Sequence, residues 1–310
     1  MKRRIVLVAL PWIRDQDPEM PLGHASLLAA LKAELALDVR SVVHSVNRND
    51  NPVARTADDI LNQTDGVEGH CVDLALGAYV WNESVLTELL AVLRSRGFSG
   101  RIVLGGPQIS YAGPLLEYLY PNADVFIRGH AEGALVALAQ DCGRPYIRGV
   151  HYAGEPDRCE QAEVSIDEVS SPWLNGTIPI GQQSFVRWET QRGCKFKCSF
   201  CQHRQPDGIA HCVTLPERRV FGEIELFCRL DTKRIAILDP VFNSSSPNAT
   251  RVLKEFAARG FRGELSLQCR PELVDKDFLD VAQGLNVRLE FGLQSIRSEE
   301  RRVGKECRYR

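Results

Sequence analysis

Short apolar runs alternate along the chain with longer stretches in which apolar residues recur every three or four positions. "RIVLVAL" (Arg4 to Leu10) is rich in β-branched residues and ends at Pro11, which predicts a buried strand. "PLGHASLLAALKAEL" brings Leu27, Leu28, Leu31 and Leu35 to one helical face. "DVRSVVH" predicts a second strand and "ARTADDILNQT" a second, weaker helix. "CVDLALGAYVW" carries a third strand, and Val85, Leu86, Leu89, Leu90 and Leu93 mark a third helix. "RIVLGGPQIS" is a fourth strand opening into a glycine pair, and "ADVFIRGHAEGALVALAQ" a fifth strand with its helix. Five strands alternating with helices predict a doubly wound α/β domain with a parallel sheet covered on both faces. Ligands of such sheets lie at the carboxyl ends of the strands, near the point where strand order reverses. The loops there are "PWIRDQDPEMPLG", "GAYVWNE", "GGPQIS" and "RGHAEG".

The pattern changes after residue 142. Residues 143–183 hold no long periodic run and are rich in Pro, Gly, Ser and acidic residues, which predicts a linker with a short hairpin. Strands and helices then resume over 184–296. "SFVRWET", "KRIAILDPVFNSS", "GELSLQCRPELV" and "VRLEFGLQSI" read as strands, with helices at "PNATRVLKEFAARG" and "KDFLDVAQ". Residues 297–310, "RSEERRVGKECRYR", break the pattern: nine of fourteen are charged and none of the apolar spacing persists. The segment resembles the translated read-through of a sequencing adapter, which predicts that the authentic chain continues differently after Ile296; a natural basic tail is the alternative. Cys307 is accordingly given no functional weight.

Composition narrows the class of partner. The chain has 310 residues, 44% hydrophobic and 25% charged, with a formal net charge of −2. Six basic and three acidic residues in the last segment leave −5 for the remainder. No basic field points to nucleic acid or to an acidic membrane. The opening apolar run is short for a signal sequence and no stretch approaches the roughly 20 apolar residues of a membrane span, so the reading is cytoplasmic. In a reducing compartment the 10 cysteines need not form disulfides.

Three of those cysteines stand together in "QRGCKFKCSFCQHR": Cys194, Cys198 and Cys201 follow a strand with spacings of four and three. An odd set this close suggests a metal centre. Structural zinc sites use four ligands, and His203 or Cys212 could complete one, so zinc remains open on spacing alone. Cys71 and Cys228 read as core thiols, and Cys142 and Cys159 are too isolated to form a second centre. Arg192, Lys195, Lys197 and Arg204 crowd the loop and would offset thiolate charge, although solvated basic residues have the same appearance.

C-x₃-C-x₂-C at a strand exit, with Phe200 before the last cysteine, resembles the radical S-adenosylmethionine (SAM) superfamily. The resemblance implies that three thiolates hold three irons of a [4Fe–4S] cluster while SAM chelates the fourth through its amino and carboxylate groups. It implies that Phe200 lies near the adenine. It also suggests SAM contacts from Asp239, Asn243, Gln268, Arg270 and Gln294, at or near strand ends of a partial (β/α) barrel. The first half, from about Lys2 to Gln140, is similar to the Rossmann-like cobalamin-binding domain that precedes such barrels, through "PLG", "LGGPQIS" and "ADVFIRGHAEGAL". Candidate cobalamin contacts are Tyr79, Gly105, Gly106, Pro107, Ser110, Gly129 and Glu132. Gly105 and Gly106 would let backbone approach a bulky ligand, and Pro107 would stiffen the exit. No GxGxxG follows the first strand, which argues against a dinucleotide. No D-x-H-x-x-G motif is present, and His24 has the wrong neighbours, so cobalt would lack a histidine ligand.

The ordering is therefore that of a cobalamin-binding-domain radical SAM protein with an incomplete barrel. By that resemblance the cluster and SAM generate a 5′-deoxyadenosyl radical, and with cobalamin the outcome is methylation of an unactivated carbon. The alternatives are a radical oxidoreductase, cyclase or rearrangement enzyme, and a zinc- or cluster-stabilised binding module without turnover. A methylthiotransferase fits less well, since its separate amino-terminal cysteine triad is missing. Expected partners are a small-molecule or peptide substrate and an electron donor such as flavodoxin or ferredoxin.

Overall fold

Arg4–Ala9 (β1) forms the second strand of a six-stranded sheet. Around it, in chain order, come Leu22–Lys32 (α1), Asp38–Val43 (β2), Pro52–Thr64 (α2), Val72–Gly77 (β3), Glu83–Ser95 (α3) and Arg101–Gly105 (β4). The short helices Pro107–Ser110 (α4) and Leu116–Leu119 (α5) lead to Val125–Ile127 (β5), Ala131–Gln140 (α6) and Val150–Tyr152 (β6). The structure, a computed structural model, describes residues 3–48, 51–179, 185–198, 201 and 212–292. Two units divide the chain, Met1–Ile178 and Pro179–Arg310.

The first sheet has the order β2-β1-β3-β4-β5-β6, with β1 to β5 parallel and β6 antiparallel to β5. Alternation along the strands sends side chains to two cores. Val6, Val8, Leu74, Leu76, Ile102 and Leu104 pack with Ile60 of α2 and Leu86, Leu89 and Leu93 of α3. Ile5, Leu7, Ala75 and Val103 pack on the opposite face with Leu28 and Leu31 of α1 and Leu135 and Leu138 of α6. This is the doubly wound arrangement that continuous apolar strands predict. At the amino ends of β1, β3 and β4, Asp73 (1% exposed) accepts two hydrogen bonds from Arg3 and two from Arg101.

Two expectations need correction here. Leu35 is 89% exposed rather than on the apolar face, because α1 ends at Lys32. The segment from 143 onward, expected as a linker with a short hairpin, joins the first sheet in its early part: β6 pairs along β5 (Val125↔Tyr152, Phe126↔His151, Ile127↔Val150), and Ala162 forms a bridge to Gly129. The first unit thus runs to Ile178. A three-residue strand is too short to show a period, so its sequence resembles loop.

The second unit contains Phe185–Trp188 (β7), a hairpin-like pair Gln191–Gly193 (β8) and Cys212–Thr214 (β9), and Glu217–Arg229 (α7). Arg234–Ile237 (β10), Ser246–Ala258 (α8), Glu264–Cys269 (β11), Lys276–Ala282 (α9) and Asn286–Phe291 (β12) follow. Its main sheet, in the order β12-β11-β10-β7, is wholly parallel, as a partial (β/α) barrel requires. Trp188, fully buried at the end of β7, meets Phe227 of α7 and Phe256 of α8 edge-on at 5.4 and 5.8 Å. Its indole N–H donates to buried Glu223 at 2.5 Å, and Glu223 also accepts from Arg219. The strand that delivers the cysteine loop is thereby fixed to the two helices beneath it.

Candidate functional site: two sets of strand ends

In the first unit strand order reverses between β1 and β3, so the loops after those strands are the expected ligand site. Asn82, fully buried, joins them: its amide nitrogen donates to Leu10 O at 3.3 Å and Gly77 O at 3.0 Å, and its oxygen accepts from Tyr79 N at 2.9 Å. Tyr79 stacks on Trp81 with centroids 4.5 Å apart, and enclosure raises the pKa of its hydroxyl above the ordinary tyrosine value. Trp12, Val80, Trp81 and Tyr111 are exposed in the loops after β1, β3 and β4. His24 points elsewhere. It lies in α1, bonded to Ser41 Oγ at 2.8 Å, with burial lowering its pKa to about 4.

The glycine pair after β4 is used within the protein. Gly106 has φ +92°, and a Cβ there would stand 2.8 Å from Ala78 O. Gly105 has no such restriction, its nearest contact being Ile127 O at 3.6 Å. Gly106→Ala should therefore cost about 1–3 kcal/mol through left-handed backbone and contact with Ala78, read as a loss of stability by chemical denaturation. Unchanged stability would mean that the loop relaxes freely. Pro107 opens α4, and Ser110 Oγ accepts from Gly129 N at 3.0 Å. Gly129 (φ +83°) is held against Ala162, while Glu132 is buried in the first turn of α6. Of the seven residues expected at a cobalamin site, all belong to this end of the sheet.

Arg128, which sequence reasoning missed, organises that end. Its guanidinium, 1% exposed, donates to Ile109 O (2.7 Å), Ala112 O (2.6 Å) and Gly113 O (3.1 Å) and pairs with Asp157 at 2.6 Å. Three carbonyls of the segment after β4 thus converge on one side chain just after β5. An arginine after an apolar strand triplet was the available signal, but nothing in the sequence gave its partners.

In the second unit the cysteine loop leaves β8. Cys194, Cys198 and Cys201 are all partly buried, and Cys201 N donates to Cys198 O at 3.0 Å, folding the loop. Burial raises the Cys194 thiol above its usual pKa, and nearby Cys201, Cys198 and Cys212 raise it further. Among the described residues no three Cys, His, Asp or Glu converge as ligands of one metal ion. Cys212, opposite Gly193 across β8–β9, is engaged with Gln191 Oε1 at 3.4 Å and lies 3.7 Å from Ser244 Oγ.

The polar residues expected at SAM are placed unevenly. Asp239, fully buried just after β10, accepts from Thr190 N (2.8 Å), Gln191 N (3.2 Å) and the Thr190 hydroxyl. Asn243 is fully buried and grips Arg270 by its backbone, accepting from N and donating to O, each at 2.9 Å. Gln268 is exposed on β11 between buried Leu267 and Cys269. Arg270 stacks on Phe196 of the cysteine loop, 3.9 Å from the ring centroid, and bonds Glu272 at 2.8 Å. Lys195 donates to Ser244 O, and Arg192 pairs with Glu189. Phe200, His203, Arg204 and Gln294 lie outside the described residues.

Asp239 carries a pH signature. Burial, only partly opposed by its hydrogen bonds, pushes its carboxyl up to about 7 from an ordinary 3.8. Between those values the folded chain holds the proton more tightly than the unfolded one, so stability should fall as pH rises from about 4 to about 7. The slope is at most about 1.4 kcal/mol per pH unit. Comparing urea midpoints of wild type and Asp239→Asn across that range checks it: the variant should lose this part of the slope, and parallel curves would refute it.

The Radical SAM superfamily profile matches residues 188–310, beginning at the last residue of β7. A cobalamin-dependent radical SAM methyltransferase, TokK, from Streptomyces tokunonensis is 29% identical over 191 residues. Residues 188–310 thus form a domain of the radical SAM family. Members of this family use a [4Fe–4S] cluster and SAM. A second relative, 2-(S-pantetheinyl)-carbapenam-3-carboxylate methyltransferase of Streptantibioticus cattleyicolor, is 26% identical over 186 residues. Each match covers 54% of this chain but 27% of the relative. Among solved structures, the radical SAM methyltransferase TsrM from Kitasatospora setae, determined with cobalamin and a [4Fe–4S] cluster, has a TM-score of 0.73 at 18% identity. That likeness of fold covers 96% of this chain and 60% of TsrM. No helix among the described residues is long and apolar enough to cross a membrane.

Proposed function

We propose that the chain is the cobalamin- and cluster-binding part of a radical SAM methyltransferase acting on an unactivated carbon of a small molecule or peptide, with a flavodoxin- or ferredoxin-like electron donor. The observation that carries this is the folded Cys194–Cys198–Cys201 loop at the exit of the barrel's first strand, in a chain whose other unit is a doubly wound domain. When bound, the cluster and SAM supply a carbon-centred radical and cobalamin supplies the methyl group. Cys194, Cys198 and Cys201 would hold the cluster through three irons. Gln191, Asp239 and Asn243 fix the strand exits around it through the bonds described above. In the first unit, Asn82 and Arg128 would hold the loops around cobalamin, and exposed Trp12, Val80, Trp81 and Tyr111 offer apolar surface suited to a large, flat macrocycle.

The test is anaerobic turnover of the reconstituted full chain with SAM, cobalamin and a one-electron reductant, followed by mass spectrometry. Formation of both 5′-deoxyadenosine and S-adenosylhomocysteine supports the proposal. Deoxyadenosine alone would favour a radical oxidoreductase or rearrangement enzyme, and neither product would favour a binding module.

A further inference from the structure

Two adjacent residues at the start of α3 serve different neighbours. Asn82 reaches the loop after β1 through Leu10 O. Glu83 reaches the segment after β4: its Oε2 accepts from Gln108 Nε2 at 2.7 Å, and its Oε1 accepts from the Tyr120 hydroxyl at 3.0 Å. Gln108 lies in α4, directly after the glycine pair, and Tyr120, 2% exposed, directly follows α5. Burial, together with the bond to Glu83, raises the Tyr120 hydroxyl above its ordinary pKa, so it stays a donor. Backbone bonds run beside the carboxylate: Ala78 N donates to Gly105 O at 2.8 Å, and Gln108 N donates to Ala78 O at 3.2 Å. The loops after β3 and β4 are thus joined along one seam, and each carries an exposed aromatic residue, Trp81 on the first and Tyr111 on the second.

We infer that Glu83 is a positioning residue for cobalamin: anchored by Tyr120, its carboxylate holds Gln108 and so sets the loop after β4 against the loop after β3 before the cofactor arrives. The physical basis is preorganisation. A macrocycle that touches both loops must order them if they move independently, and that ordering appears as lost affinity. The bonds to an ionised carboxylate are charge-assisted and therefore stronger than bonds between neutral amides. The second carboxylate oxygen is fixed on a buried phenol, so the direction in which Glu83 presents the first is set by the core. The inference rests on the first unit being a cobalamin site, which wild-type binding checks separately.

The experiment is equilibrium dialysis of hydroxocobalamin against the cofactor-free full chain. Glu83→Ala and Gln108→Ala should each weaken binding about tenfold, the effect of one further group to be ordered. Together they should weaken it no more than the larger single change, because they break one bond. Exchanging the pair, Glu83→Gln with Gln108→Glu, reverses the donor and leaves an amide oxygen for the Tyr120 hydroxyl, so it should restore most of the affinity. The cofactor-free Gln108→Ala chain should keep the wild-type urea midpoint; a midpoint lowered in step with the affinity would make the bond one of folding and overturn the inference. Additive losses in the double variant would make the two side chains separate cobalamin contacts and also overturn it, as would wild-type affinity in Gln108→Ala. If Glu83→Ala does not fold, Gln108→Ala and the exchanged pair decide by the same criteria. A wild-type chain that binds no hydroxocobalamin would instead defeat the cobalamin reading itself, and this inference with it.

Discussion

Replacing Arg128 by methionine should destabilise the first unit by about 3–5 kcal/mol, the range for a buried ion pair that loses one partner. Methionine retains much of the side-chain volume but offers no donor to Ile109 O, Ala112 O or Gly113 O and leaves Asp157 without its guanidinium. Both side chains of the pair are nearly inaccessible, at 2% and 6%, so water cannot replace the lost bonds. Burial alone would raise the Asp157 carboxyl, yet the Arg128 bond and the Cys159 N–H hold it below the usual value. A carboxyl depressed on folding contributes stability above its unfolded pKa, and that contribution disappears as pH falls through the folded pKa. The cost of Arg128→Met should therefore shrink in acid. Hydrogen exchange of β4 and β5 amides in the full chain at pH 7 measures the effect within this unit. Removing both partners, Arg128→Met with Asp157→Leu, should recover part of the loss, since no buried charge is then left alone. A change below about 1 kcal/mol in the single variant would contradict the assignment.

The largest functional effect is expected at the cysteine loop. Alanine at Cys194, Cys198 or Cys201 should each abolish stable retention of about four irons per chain, because a cluster held by only two thiolates is labile. Cys212→Ala should retain the iron, since the Cys212 thiol is engaged with Gln191 and Ser244. Iron and zinc analysis after anaerobic reconstitution gives the answer. Zinc bound at one equivalent, and lost with Cys212, would favour the four-ligand zinc site that spacing alone left open.

The alternation of strands and helices was legible because each buried strand is an apolar run and each helix carries a periodic face. The cysteine motif was legible because its spacing belongs to the chemistry of the centre. Other features depend on tertiary partners. Gly106 read as room for a ligand, but its φ of +92° accommodates Ala78 of the neighbouring loop. Asp239, Asn243 and Arg270 were expected to face SAM, and the structure shows each also bonding protein: Asp239 the exit of β7, Asn243 the backbone of Arg270, Arg270 the ring of Phe196. Asn82 stands directly before α3, yet its side chain crosses to Leu10 and Gly77. A polar side chain near a strand end is visible in sequence, whereas the group it bonds is set by which strands become neighbours. Phe196 had no pattern to mark it, since its partner stands 74 positions away at Arg270.

The central claim is a three-thiolate [4Fe–4S] cluster with one iron left for SAM. Its most direct test is electron paramagnetic resonance of the reduced, reconstituted full chain before and after SAM addition, with Mössbauer spectra of the same samples. One [4Fe–4S] cluster per chain is predicted, with a spectrum that changes on SAM binding at a single distinct iron. An iron-free protein, or a cluster whose spectra are indifferent to saturating SAM, would contradict the account.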